Sequence, residues 1–161
     1  MHNILRLEKY AHEQLKQRRH SAIIFFDIKV AFDSVWFDGI ICKVRDLRLP
    51  QYLIRFVISF LDHRTAAIEL QNALSKSFNL KSGTPQDSRL PPLLYIIYTT
   101  DSSNAIQKHT DTEYDLFVDN TTLWSSSNRI TNLKDRLQTL VNDFQNWCKV
   151  WKLEIQQSKR N

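Results

Sequence analysis

Apolar positions along the chain recur with distinct spacings, and those spacings predict the elements. Ile4, Leu7, Ala11 and Leu15 stand three or four residues apart among charged neighbours. That is the pattern of an amphipathic helix over residues 4–19, with Lys16, Arg18 and Arg19 at its C-terminal end. The helix is predicted to stop near His20. Residues 22–26 form an unbroken apolar run, short and rich in Ile and Phe, which predicts a buried strand delivering Asp27 at its C-terminal edge. Beyond a loop around residues 32–38, Ile40, Ile41, Val44 and Leu47 return to helical spacing until Pro50 forces a break. Leu53, Ile54, Val57, Ile58 and Leu61 then mark the apolar face of a further helix.

Residues 65–70 and 77–81 read as the two strands of a hairpin with imperfect alternation. Pro91 and Pro92 suit the first turn of a helix, where a missing N–H is harmless, and residues 93–98 supply its apolar face. Residues 113–118 and 121–125 predict a second hairpin whose tip carries Asp119 and Asn120. A long helix follows, marked by Ile130, Leu133, Leu137, Leu140, Val141, Phe144, Trp147, Cys148 and Trp151. Hairpins interleaved with helices indicate an α+β fold with a sheet covered mainly on one side. With no internal repeat, low-complexity tract or linker, a single compact unit is expected.

Composition narrows the class. The 161 residues are 42% hydrophobic and 24% charged, ordinary for a globular domain able to bury a core. No stretch approaches the ~20 apolar residues needed to span a bilayer. Residues 1–20 mix Lys and Arg with Glu and lack the compact apolar run of a secretory signal. The expectation is therefore no membrane partner and an intracellular address, nucleus or cytoplasm. A net charge of +5 suits a polyanionic partner. Cys42 and Cys148 lie far apart within apolar-periodic segments, which predicts two buried thiols and neither a disulfide nor a zinc site. Gly39 and Gly83 are the only glycines, so turns needing a positive φ are predicted to use Asn or Asp.

Two carboxylates end apolar strands: Asp27 after residues 23–26, and Asp119 after Leu116, Phe117 and Val118. A carboxylate at such an edge is costly to desolvate unless it meets a cation, so the pair suggests a divalent metal site. Taken singly, each also fits an aspartate that terminates a strand or caps a turn.

The run Phe26-Asp27-Ile28-Lys29-Val30-Ala31-Phe32-Asp33-Ser34-Val35-Trp36 resembles the first catalytic motif of non-LTR retrotransposon reverse transcriptases of the LINE-like, jockey and CR1 type. The resemblance continues through Asp38-Gly39, Leu49-Pro50-Gln51-Tyr52-Leu53 and Ser59-Phe60-Leu61-Asp62-His63-Arg64-Thr65, similar to the connecting helices and hairpin of that family. Gly83-Thr84-Pro85-Gln86-Asp87-Ser88 and Leu90-Pro91-Pro92-Leu93-Leu94 resemble its substrate-contacting loop and helix. Phe117-Val118-Asp119-Asn120 resembles its second metal motif, and Trp147-Cys148 through Trp151-Lys152-Leu153 and Ser158-Lys159 its closing helix and lysine.

This resemblance implies a reverse-transcriptase-like polymerase palm: a small antiparallel sheet packed on helices, with fingers and thumb largely missing. It implies one partial domain over residues 1–161, in which 1–20 lead into the palm, 21–128 form its core and 129–161 supply the long helix and lysine segment. The implied activity is RNA-directed DNA synthesis from an RNA template, a DNA primer and deoxynucleotide triphosphates, with two Mg²⁺ or Mn²⁺ ions. Asp27 and Asp119 would be metal ligands, and Asn120 stands in the position of a second aspartate. Phe32 would press on the nucleotide sugar. Gly83, Pro85 and Gln86 would lie against template and nucleotide, and Lys159 would donate a proton to pyrophosphate.

Four residues depart from the family pattern. Asn120 keeps a coordinating oxygen but loses a charge. At an effective dielectric near 20 a charge pair about 4 Å apart is worth ~4 kcal/mol, a loss on the order of 10³ in rate. Asp87 replaces a loop glycine and adds negative charge where phosphates should pass. Pro91 replaces a serine, and Val118 a small alanine beside the metal ligand. A truncated, catalytically weakened polymerase domain is therefore expected. The rival expectation is a non-catalytic nucleic-acid-binding or protein-interaction module that reuses the palm scaffold, distinguished by salt-dependent binding without primer extension.

Overall fold

The computed structural model describes residues 2–85, 89–106, 112–117 and 120–156. In chain order its elements are α1 (His2–Lys16), β1 (His20–Asp27), α2 (Phe37–Asp46), α3 (Gln51–Leu61), β2 (Thr65–Ala66), β3 (Glu69–Leu70), β4 (Ala73–Leu74), β5 (Phe78–Asn79), α4 (Leu90–Thr99), α5 (Ser102–Ile106), β6 (Thr112–Phe117), β7 (Asn120–Ser127) and α6 (Ile130–Val150). They form two compact units, residues 1–29 with 100–161, and residues 30–99.

The first unit is built on an antiparallel sheet of order β1-β7-β6. Alternation puts Ala22, Ile24 and Phe26 on one face, where α6 packs. Phe26 meets Phe144 with ring centroids 4.9 Å apart, and Leu133, Leu140, Phe144 and Cys148 form the buried stripe of α6. At roughly 1.5–3 kcal/mol for each large apolar side chain removed from water, this stripe fixes the helix on the sheet. The indole Nε1 of Trp147 donates to Asp101 Oδ1 at 2.9 Å, tying α6 to the start of α5. On the opposite face α1 covers one end of the sheet. Tyr10 meets Trp124 edge-on, Arg6 lies over the Trp124 ring, and Ser126 Oγ donates to Gln14 Oε1 at 2.8 Å.

β1 was expected to be buried. Only Phe26 is, at 8% exposure, while Ile23 and Phe25 are 39% and 71% exposed. The reason is that an antiparallel sheet needs only one covered face, and α1 does not reach the Asp27 end of the other. The thiols divide similarly: Cys148 is buried as expected, but Cys42 is exposed on α2.

In the second unit α2 packs against both α3 and α4, around buried Val35, Ile40, Val44, Ile54, Leu94, Tyr95 and Tyr98. Gly39 permits this approach, since a Cβ there would lie 2.9 Å from Trp36 Cε3 and 3.0 Å from Tyr98 Cε2. Pro91 sits in the first turn of α4, as the sequence predicts. The expected hairpin over 65–81 is interrupted into two short ladders, β2 with β5 and β3 with β4. Its tip is Gln71-Asn72, both at positive φ (47° and 65°), the geometry of a type I′ turn.

Glycine scarcity is resolved differently from the expectation. Among the described residues only Asn72 is of the predicted Asn or Asp type; Arg18, Val30, Arg48, His63, Gln71 and Lys152 also take positive φ. Four of these follow the ends of α1, α2, α3 and α6. At α1, Arg19 N donates to Gln14 O and Arg18 N to Leu15 O, both at 3.0 Å. At α6, Leu153 N donates to Cys148 O at 2.8 Å and Lys152 N to Lys149 O at 3.2 Å. These are Schellman closures, in which recovered hydrogen bonds offset the left-handed backbone. Each of the four residues has a basic side chain, which suits the negative end of the helix dipole.

Three outcomes follow. Lys152→Val is expected to lower stability by about 1–2 kcal/mol in urea unfolding while Lys152→Gly is tolerated, because a β-branched side chain is poorly compatible with this backbone. Burial pushes the Cys148 thiol up from 9.0 to about 12, with a backbone hydrogen bond acting in the opposite sense. The folded chain thus keeps its proton where the unfolded chain has lost it. Stability from this group is whole below pH 9 and declines as pH rises from 9 toward 12. Alkylation at pH 8 should label Cys42 alone until the chain unfolds, as read by peptide mass.

Candidate active site

The β1–β7 ladder runs in unbroken register from His20 opposite Ser127 to Asp27 opposite Asn120. Directly opposed residues share a face with Cβ atoms about 4.5–5.5 Å apart. Phe26, anchored against Phe144, turns inward to α6, and the period of two therefore sends Asp27 to the other face. Its carboxylate and the Asn120 amide share that face, Asp27 half-buried and Asn120 exposed. The Asp27 backbone is held on its second edge as well. Gln156 N donates to Asp27 O at 2.7 Å and Lys29 N to Glu154 O at 2.9 Å, with an exposed Lys29–Glu154 ion pair at 3.2 Å.

Asn120 is not at the hairpin tip. It is the first residue of β7, opposite Asp27 on one side and Phe117 on the other. Asp119, Gln86 and Lys159, expected in the site, lie outside the described residues, as do Val118 and Asp87. Among the described residues no three His, Cys, Asp or Glu side chains gather as a metal cluster. Asp27 and Asn120, opposed in the ladder, bring a carboxylate and an amide oxygen, hard oxygen ligands of the kind Mg²⁺ and Mn²⁺ take.

Phe32, Gly83 and Pro85 belong to the second unit. There the chain after Val30 turns tightly, with Asp33 N and Ser34 N both donating to Val30 O at 2.9 Å. Residues 81–84 run antiparallel to it. Phe37 N donates to Lys81 O, Gly83 N to Val35 O at 3.0 Å, and Thr84 N to Phe32 O at 3.0 Å. Phe32 is thereby brought to the Gly83-Thr84-Pro85 segment, with its ring 5.6 Å from that of Tyr95. Gly83 has φ +97°, and a Cβ there would come no nearer than 3.5 Å to Asp33. Backbone conformation, not space, demands glycine.

Arg64 was read from the sequence only as part of a connecting motif. Its Nη1 donates to Gly83 O at 2.9 Å. A cation just ahead of the hairpin was the available signal, but nothing in the sequence tells where it reaches.

The acidic sheet end packed on helices has the fold of a reverse-transcriptase palm. Apo telomerase from Candida tropicalis superposes with a TM-score of 0.68 at 15% identity, covering 97% of this chain and 35% of that one. Telomerase from Candida albicans, solved with a fragment of telomeric RNA, gives 0.64 at 12% identity, covering 94% and 30%. The chain belongs to the reverse transcriptase (RNA-dependent DNA polymerase) family, whose model matches residues 1–161. It is 30% identical over 158 residues to the RNA-directed DNA polymerase from mobile element jockey of Drosophila funebris. It is 31% identical over 158 residues to the probable RNA-directed DNA polymerase from transposon BS of Drosophila melanogaster. Each match covers 96% of this chain and 17% of the relative. Polymerases of this family generally use divalent metal ions. Among the described residues no helix is long and apolar enough to cross a membrane.

Gly83→Ala and Val30→Gly should move stability in opposite directions. The first forces a Cβ onto a left-handed backbone at a cost of about 1–2 kcal/mol. The second relieves a β-branched residue at φ 44° and should be neutral or stabilising. Urea unfolding midpoints read both signs.

Proposed function

We propose that this chain is the palm of an RNA-directed DNA polymerase of the non-LTR retrotransposon kind, extending a DNA primer on an RNA template from deoxynucleotide triphosphates. The supporting observation is the ladder that sets Asp27 across from Asn120 in a member of the reverse transcriptase family. In this reading Asp27 and Asp119, one peptide bond before Asn120, hold Mg²⁺ or Mn²⁺. Mg²⁺ commonly keeps several waters and takes one or two carboxylates plus substrate phosphates, so two aspartates suffice as protein ligands. When bound, two such ions lower the pKa of the primer 3′-hydroxyl and neutralise charge building on the transferred phosphate.

The chain's own residues orient the reactants. Phe32 bears on the nucleotide sugar, while Gly83, Pro85 and Gln86 present backbone and side chain to nucleotide and template. Lys159 protonates the departing pyrophosphate. Asn120 contributes an oxygen without charge, so turnover is expected to sit well below that of a two-aspartate site.

Primer extension on an RNA template with Mg²⁺ or Mn²⁺ tests this. Asp27→Asn should lower extension by on the order of 10³ or to background, and Asn120→Asp combined with Asp87→Gly should raise it by about 10²–10³. Extension that survives Asp27→Asn would overturn the assignment.

A further inference from the structure

We propose that Arg64 is a positioning residue that holds the Gly83-Thr84 loop in its working shape, an inference that rests on reading this loop as part of the polymerase's substrate site. Gly83 is the one described glycine on a left-handed backbone, so its own dihedrals restrain it less than those of any other residue there. Its conformation is set from outside. The N–H is committed to Val35 O at 3.0 Å, and the carbonyl receives Arg64 Nη1 at 2.9 Å.

Arg64 is itself fixed. Its backbone carbonyl accepts from Leu80 N at 2.8 Å, adjacent to the Thr65–Asn79 pair, so the side chain starts from backbone paired across the β2–β5 ladder. With the Gly83 peptide orientation set, the next N–H, of Thr84, meets Phe32 O at 3.0 Å, and Thr84 Oγ1 donates to the same oxygen at 3.3 Å. Two successive links, the second a pair of bonds to one oxygen, thus lead from the guanidinium to the backbone of the residue assigned to the nucleotide sugar. A charge-assisted bond to a carbonyl is roughly twice as strong as a neutral one, and the planar fork is pre-organised where a lysine ammonium is flexible and more strongly hydrated.

The test uses the full chain with Arg64→Ala and Arg64→Lys, and reads amide hydrogen exchange beside primer extension. In Arg64→Ala the Gly83 and Thr84 amides should exchange at least about tenfold faster, while β1 and β7 amides and the unfolding midpoint hold. KM for the nucleotide should rise about tenfold with kcat changed less than about threefold, and Arg64→Lys should recover part of both effects. The salt slope of RNA binding should not change. Unaltered exchange at Gly83 and Thr84 overturns the brace. A salt slope smaller by about one overturns it differently, making Arg64 a direct phosphate ligand. If the parent chain extends no primer, the polymerase reading falls while exchange still decides whether Arg64 holds the loop. Should Arg64→Ala fail to fold, the exchange rates of Arg64→Lys carry the same decision.

Discussion

One antiparallel ladder governs the first unit. Eight residues of β1 pair in register with eight of β7, and the period of two divides them into an inward row ending at Phe26 and an outward row ending at Asp27. A slip of one residue would drive the Asp27 carboxylate onto the Phe144 ring and expose Phe26, burying an unpaired charge. The hydrophobic face of α6 therefore does more than stabilise. By rejecting the wrong register it determines which side chain stands across from Asn120. Residues 154–156 complete the constraint by pairing with the chain around Ile28 on its other edge, so the aspartate is carried on backbone bonded from both sides.

The second unit meets a different demand with the same means. Its loop at residues 83–84 takes a left-handed backbone at Gly83, which calls for glycine, yet glycine alone is conformationally loose. The structure surrounds Gly83 with partners: Val35 on one side, Arg64 on the other, and Phe32 engaged by the next residue. Elsewhere the shortage of glycine is met at helix ends by Arg18, Arg48 and Lys152, where closing hydrogen bonds and the helix dipole compensate the backbone cost, and by His63, whose N–H donates to Asp62 Oδ1.

Much of this was legible in the sequence, because spacing encodes burial. The stripe of α6, the apolar run before Asp27 and the prolines opening α4 all read directly. Register did not. Nothing in residues 22–26 and 121–125 says that Asp27 opposes Asn120, since pairing depends on contacts across ninety-odd residues of chain. Exposure of Phe25 was hidden for a related reason: an unbroken apolar run looks the same whether helices cover one face or two. The preference for Asn or Asp at positive φ was a rule about intrinsic cost, and at helix ends local hydrogen bonding outweighed it. The reach of Arg64 to Gly83 is a tertiary contact with no local signature.

On the proposed reading, the asparagine at position 120 is best understood through the same ladder. Two carboxylates directly opposed about 5 Å apart repel one another unless cations lie between them, so a site built for metals is a liability to the empty fold. Asparagine keeps the strand pairing and an oxygen donor while removing that repulsion. Backbone register depends on Phe26, Leu123 and the α6 stripe, none of which is a candidate metal ligand. The scaffold persists at about 30% identity to polymerase relatives, and on the proposed reading it does so without depending on the charge at position 120. On the proposed reading, stability and metal binding draw on different residues of one strand pair, and a substitution that favours the first weakens the second.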